Sequence, residues 1–300
     1  MTMQRATVVA VPTWRSAASA YLNLVKPHVT VLLLGTTLAA MVVAAGGFPS
    51  FGLVLSTLVG GSMAAGSANA INCYWDRDID VLMSRTRNRA LPAHRVSDSQ
   101  ALYFGLGLGV GSFIILFLFV NLLSAVLAVA AIGFYVGVYT MWLKRTTPQN
   151  IVIGGAAGAV PVLVGWAAVT NSVSLTSVWM FLIIFLWTPP HFWALSLLLK
   201  KDYARASIPM LPVVAGERET YRQIILYTLL LLAASLMLFA IQAMGYLYLV
   251  GAVLLGAGLL IPAILLAQHK SLKYARVMFW FSNYYLAILF AVMVVDRVLR

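Results

Sequence analysis

The length of its uncharged apolar blocks limits what this chain can fold into more than any other feature. Val29–Ala45, Ala101–Leu143, Ile151–Val169 and Ile224–Ala267 contain no Lys, Arg, Asp or Glu. A helix needs about 20 such residues to cross ~30 Å of hydrocarbon, whereas a soluble helix keeps a polar face on every turn. Two blocks are long enough for two crossings each, divided at Asn121 and at Met244-Gly245. Only 9% of residues are charged, against roughly 25% in an average soluble chain, so the blocks are not offset by polar domains. The pattern predicts an all-α integral membrane protein with about nine spans, at 27–47, 51–73, 100–120, 122–143, 151–170, 177–199, 223–244, 246–267 and 277–296.

Placement of charge predicts orientation. Of the 20 Lys and Arg residues, 18 lie in the N-terminal tail or in Asp76–Asp98, Lys144–Asn150, Lys200–Arg222 and Lys270–Arg276. The alternate connections, near Gly46–Ser50, Asn121, Asn171–Thr176 and Gly245, carry none. Positive residues stay on the cytoplasmic side, which predicts the plasma (inner) membrane with the N-terminus inside and the C-terminus outside. The net charge of +12 thus reads as topology and contact with the lipid bilayer, not as a nucleic-acid patch. Residues 1–26 hold Arg5, Arg15 and Lys26 without an apolar core and cleavage site, so they read as a cytoplasmic tail before one transmembrane domain, 27–300. The single cysteine, Cys73, excludes an internal disulfide and a cysteine-rich metal site.

Seven of the eight carboxylates fall in two polar connections, after the second and sixth spans, which gives the halves a faint internal symmetry. In the first, Asn72, Asp76 and Asp80 stand at i, i+4 and i+8. Steps of four advance a helix by about 40°, so the three project from one face at a membrane helix end. Oxygen donors there suit a hard cation such as Mg²⁺, which needs one or two carboxylates and shares the rest of its shell with phosphate and water. Asp78 points elsewhere and reads as an ion-pair partner for a neighbouring arginine. Arg85, Arg87, Arg89 and Arg95 follow, and guanidinium grips phosphate oxygens in a fork. A solvated loop of mixed charge would share this composition but not the four-residue spacing of acids beside a span.

The second constellation starts inside span six, at Thr188-Pro189-Pro190-His191-Phe192-Trp193. Prolines bend a membrane helix where the freed carbonyls face protein or a cavity. A histidine beside such a bend is a candidate for positioning an acceptor, binding iron or moving a proton, although buried histidines also serve plain packing. Beyond it, Asp202 is a further candidate metal ligand. Lys200, Lys201 and Arg205 are candidate phosphate partners, and Tyr203 a donor to an oxyanion. Ile208-Pro-Met-Leu-Pro212 is apolar yet unsuited to a helix, as in a lid. There is no phosphate-binding Gly-Lys loop, nucleophile elbow or dinucleotide fingerprint. The glycines of Gly105–Gly111 and Gly154–Gly165 sit in apolar blocks, where they let helices approach closely.

These strings resemble the UbiA-type intramembrane prenyltransferases. Asn72-xxx-Asp76-xxx-Asp80 with its Arg-rich loop is similar to that family's first aspartate motif. Lys26-Pro27, Arg85-Thr86, Thr188-Pro-Pro-His-Phe-Trp193, Asp202-Tyr203 and Ile208-Pro-Met-Leu-Pro-Val-Val214 are similar to its haem-farnesylating members, from about Lys26 to the last span. The resemblance implies nine helices around a central cavity, farnesyl diphosphate as donor, Mg²⁺, and haem b as a substrate whose vinyl group accepts the chain. Within it, Asn72, Asp76, Asp80 and Asp202 hold a diphosphate-bridged metal. Arg85, Arg89, Lys201, Arg205 and Tyr203 take the diphosphate, and His191 or His28 meets the haem. Tyr74, Trp75, Phe192 and Trp193 shelter an allylic cation by their π faces. Implied protein partners are haem A synthase or oxidase assembly proteins. Ala90 stands where the family pattern leads one to expect proline, His94 and Ser207 where it has glycine, and Ala206 where many relatives carry a second aspartate. Competing readings are a family member with a 4-hydroxybenzoate, naphthoate or chlorophyllide acceptor, a non-catalytic chaperone for an oxidase, or a membrane transporter. A transporter would place its ionisable groups nearer mid-bilayer.

Overall fold

A computed structural model describes residues 14–300; the first thirteen residues of the expected tail lie outside the described ones. Among these residues nine helices are long and apolar enough to cross a membrane, and there is no strand. In chain order the helices are α1 Trp14–Val25, α2 Pro27–Ala45, α3 Phe51–Trp75, α4 Arg77–Asp80, α5 Asp98–Phe119 and α6 Leu122–Thr146, the last including a widened π-helical stretch at Phe134–Leu143. They continue as α7 Asn150–Thr170, α8 Leu175–Leu198, α9 Lys200–Arg205, α10 Leu211–Val214, α11 Gly216–Ala240, α12 Tyr246–His269 and α13 Leu272–Val298. Every expected span corresponds to one helix. The main displacement is α11, expected from 223, which starts at Gly216. Hydropathy locates the apolar stretch and not the first helical turn, where Glu217 and Glu219 favour the positive end of the helix dipole.

The bundle is turned inside out relative to a soluble protein. Leu118, Phe119 and Leu254 are each more than three-fifths exposed, as lipid-facing side chains must be, while Asp76, Asp80 and Asp202 are buried. The largest core joins α2, α7, α8, α11, α12 and α13. The described part of the tail is a helix, not an extended strand of chain. Ala20 and Leu24 of α1 pack with Ala70 and Cys73 of α3 and Ala101 of α5.

Two close approaches position the rest. A methyl group on Gly165 of α7 would collide with the backbone oxygen of Thr37 in α2, so these helices meet at a glycine. Asp296, the one acid outside the polar connections, is buried in α13 and accepts from the backbone N–H groups of Gly245 at 2.6 Å and Tyr248 at 3.1 Å. It thereby satisfies orphan donors at the start of α12. Between α2, α3, α6, α7, α8 and α13 lies a cavity of about 500 Å³, walled mainly by small and apolar residues such as Ala65, Ala68, Ala131 and Gly158. That volume falls within the ~300–1,000 Å³ of ordinary ligand pockets.

Candidate active site

The three oxygen-bearing side chains of the first constellation do share a face. Helix α3 ends at Asp76, where ψ opens to 5°, and α4 restarts at once. Because the Asp80 N–H still bonds the Asp76 carbonyl at 2.8 Å, the four-residue spacing survives the bend. Asn72, Asp76 and Asp80 are all buried. Asn72 donates to Asp76 Oδ2 at 2.7 Å and to Thr140 Oγ1 at 3.1 Å, while its oxygen accepts from Lys26 Nζ at 3.1 Å. Asp76 pairs closely with Lys144, and Asp80 with Arg89 at 2.7 Å. Asp78 turns outward to a forked pair with Arg145 at 2.7 and 2.8 Å, which holds its carboxyl below the usual carboxylate range. The arginine partner expected for Asp78 is therefore one far along the chain, not a neighbour.

The second polar connection folds against the first. Asp202, buried in α9, accepts from the backbone N–H of Ser84 at 3.1 Å and closely from its hydroxyl. Ile79 and Met83 from one connection pack with Tyr203, Ile208 and Met210 from the other. The Ile-Pro-Met-Leu-Pro segment is thus apolar because it is buried against α4. Ala206, in the place of a second acid, belongs to the same apolar cluster. Burial pushes the Tyr203 phenol above its ordinary range, so it stays an O–H donor at neutral pH.

Charge in the cluster is balanced but not closed. Asp76 Oδ1 is buried without a hydrogen-bond donor, with Arg145 3.6 Å away. A buried anionic oxygen without a donor is costly, and a hard cation would satisfy it. No three acidic or histidine side chains among the described residues converge into a ready-made metal cage. The donor set fits a cation that takes one or two carboxylates and completes its shell elsewhere. Burial also pulls the Lys26 ammonium below its ordinary range while it donates to Asn72.

Asn69 and Arg85 line the cavity, whereas Asn72, Asp76, Asp80 and Asp202 do not. His191, His28 and Phe192 line it, as does Arg85, which forms no ion pair with any described residue. Arg205 is more than half exposed, lies 3.7 Å from Asp202 and bonds the Leu82 carbonyl, and Lys201 is exposed, both away from the cavity lining. Tyr74, Trp75 and Trp193 do not reach the cavity. Tyr74, two positions after Asn72, is rotated about 200° to another face, and Trp75, one position before Asp76, is rotated about 100° from that acid. Tyr74 packs beneath Arg77, whose guanidinium sits 4.5 Å from the ring centroid, and Trp75 is exposed. Trp193 is buried edge-on against Tyr227. The aromatic wall is instead Tyr135, Tyr139, Trp187 and Phe279. Tyr135 and Tyr139 carry the same i, i+4 signal as the aspartates, and Trp187 stands one turn before His191. Lys26, Lys144 and Ser84 had no local signal, because each meets its partner across a long stretch of chain.

Three comparisons bear on this geometry. The family model described as the UbiA prenyltransferase family matches residues 33–287. The chain is 51% identical over 290 residues, 96% of its length and 95% of the other's, to a protein named protoheme IX farnesyltransferase from Gloeobacter violaceus. In fold it is similar to a structure of a digeranylgeranylglyceryl phosphate synthase, with a TM-score of 0.79 over 95% of this chain and 99% of that one at 17% identity. It is also similar to a UbiA homologue from Archaeoglobus fulgidus bound to DMAPP and Mg²⁺, with a TM-score of 0.66 over 91% and 99% of the two chains and 17% identity.

Proposed function

The chain belongs to the UbiA prenyltransferase family, and on that premise we propose that it transfers a farnesyl group from farnesyl diphosphate to a vinyl group of haem b, giving haem O and diphosphate. The reaction class is carried by one observation: a buried acid–arginine cluster holds an unsatisfied carboxylate oxygen, and Arg85 of the same polar connection lines an apolar cavity. The acceptor rests on the half-identical relative, since the solved structures at 17% identity speak only to fold. The acids gather at one end of the bundle, which favours head-group chemistry over a mid-membrane transport path. The basic residues support an orientation with the charged connections in the cytoplasm, and the plasma membrane is the location proposed with it.

In this reading Asn72, Asp76, Asp80 and Asp202 hold Mg²⁺ together with the diphosphate. When bound, the ion supplies charge neutralisation for the leaving group. Arg85, Arg89 and Lys26 then take the remaining diphosphate charge, while Lys144 is paired with Asp76. As the C1–O bond breaks, its electron pair leaves with the diphosphate. The apolar walls and the faces of Tyr135, Tyr139 and Phe192 keep the allylic cation from water. The vinyl carbon then forms the new bond to C1, and water adds to the resulting cation with loss of a proton. His191 orients the acceptor.

Replacing Asp76 by Asn keeps the shape and removes the charge. Farnesyl transfer should fall by roughly 100-fold or more, the cost of losing one electrostatic stabiliser of a developing charge. Mass spectrometry of haems from cells expressing each form reads this out, and an Asp76→Asn protein of full activity would remove the metal–diphosphate model.

A further inference from the structure

The ring of His191 is clamped on every side but one. Trp187 stacks on one face with centroids 4.3 Å apart and Phe279 on the other at 4.7 Å. Along one edge, Nδ1 lies 2.7 Å from the Ser282 hydroxyl oxygen. The residue itself belongs to the cavity wall, and Nε2 is on the ring edge away from Ser282. Ser282 is itself pinned: it is buried, its hydroxyl bonds the Phe279 carbonyl at 2.8 Å, and its carbonyl accepts from the Trp187 indole N–H at 2.7 Å.

The Ser282 hydroxyl has one hydrogen and two acceptors in reach, the Phe279 carbonyl at 2.8 Å, which also takes Asn283 Nδ2 at 2.9 Å, and His191 Nδ1 at 2.7 Å. The carbonyl can only accept, whereas Nδ1 can carry a proton of its own. With the hydroxyl donating to the carbonyl, its oxygen accepts from His191, and the proton of neutral His191 sits on Nδ1. Nε2 then keeps its lone pair in the ring plane. A metal-ligating imidazole needs this arrangement: one nitrogen donates to an acceptor that sets ring orientation, and the other carries a free lone pair.

We infer that Ser282 is a positioning residue that holds His191 as the Nδ1–H tautomer, so that Nε2 is the protein's axial ligand to the iron of the haem acceptor. This rests on the haem reading above. It makes the acceptor site a three-residue device of Trp187, His191 and Ser282, linking α8 to α13. Neither Trp187 nor Ser282 stands out in the sequence, because their partner is 91 or more residues away or one helical turn off.

Resonance Raman spectroscopy of the purified full chain, titrated with ferrous haem b, tests the assignment. The iron–histidine stretch is sensitive to the hydrogen bond on the far imidazole nitrogen. The wild-type protein should show this band, and His191→Ala should lose it. Ser282→Ala should move the band to lower frequency and weaken haem binding by about 10-fold, the lower end of what a lost outer partner costs. Ser282→Thr, which keeps the hydroxyl, should restore both. An unmoved band in Ser282→Ala, with haem bound and His191 required, would overturn the tautomer assignment. A haem Soret band without any iron–histidine stretch in the wild type would overturn His191 as ligand while leaving the acceptor reading intact. Absence of haem binding altogether would sink the acceptor reading itself.

Discussion

At the residue scale, two of the six described non-glycine residues with left-handed backbone stand out. His94 has φ 53° and Ser207 φ 54°, both left-handed, and both lie at positions where the family pattern leads one to expect glycine. A residue with a Cβ loses about 1–2 kcal/mol in this region. Both side chains are exposed, so replacing them removes no packing. Glycine gives part of the gain back by loosening the unfolded chain. His94→Gly and Ser207→Gly should each stabilise by about 0.5–1 kcal/mol, raising the midpoint of thermal unfolding in detergent by about 1–3 °C. A fall in either midpoint would mean that the side chain makes a contact outweighing the strain. The same scale shows how far single residues could be read without coordinates. Asn72, Asp76 and Asp80 were legible because helical spacing alone sets a shared face. Tyr74 and Trp75 were misplaced by proximity to those acids, which in a helix is no guide to direction. Lys26 and Lys144 were invisible as partners, since nothing local records a contact made 46 or 68 residues away.

At the scale of elements, hydropathy was enough to place nine helices, because each must bury its own backbone hydrogen bonds in hydrocarbon and so forms a self-contained block. What hydropathy cannot express is which glycines are contacts and which are empty space. Gly165 meets a backbone oxygen of α2 that cannot move aside, whereas a methyl on Gly158 in the same helix meets nothing within 4 Å and faces the cavity. Gly165→Ala should therefore cost about 1–3 kcal/mol through forced separation of α2 and α7. Gly158→Ala should leave stability within about 0.5 kcal/mol of the parent. Thermal unfolding followed by size-exclusion chromatography compares the two. Equal losses would show that the helix resists alanine for its own reasons and not because of α2. The π-helical stretch Phe134–Leu143 was equally unreadable from hydropathy, yet it turns Tyr135 and Tyr139 to the cavity and Thr140 to Asn72.

At the scale of the whole molecule, the site exists only because two connections from different halves of the chain meet at one end of the bundle. Ser84 and Asp202 join them 118 residues apart, and the apolar cluster around Ile208 and Met210 seals the junction. For this assembly to meet a soluble diphosphate, both connections must lie on the side that holds it, so orientation is a functional matter. The distribution of basic residues supports the proposal that this end faces the cytoplasm. The chain lends itself to a direct check, because its one cysteine, Cys73, is buried and gives little background. Arg87 lies in the first polar connection and Ser172 in an uncharged one at the other end, and both are exposed. In intact spheroplasts a membrane-impermeant maleimide should label Ser172→Cys at once and Arg87→Cys only after permeabilisation. The opposite pattern would place the acid–arginine cluster outside the cell. Labelling of both sites in intact spheroplasts would break the odd number of crossings between them. Either result would separate the cluster from its cytoplasmic substrate, whatever the merit of its geometry.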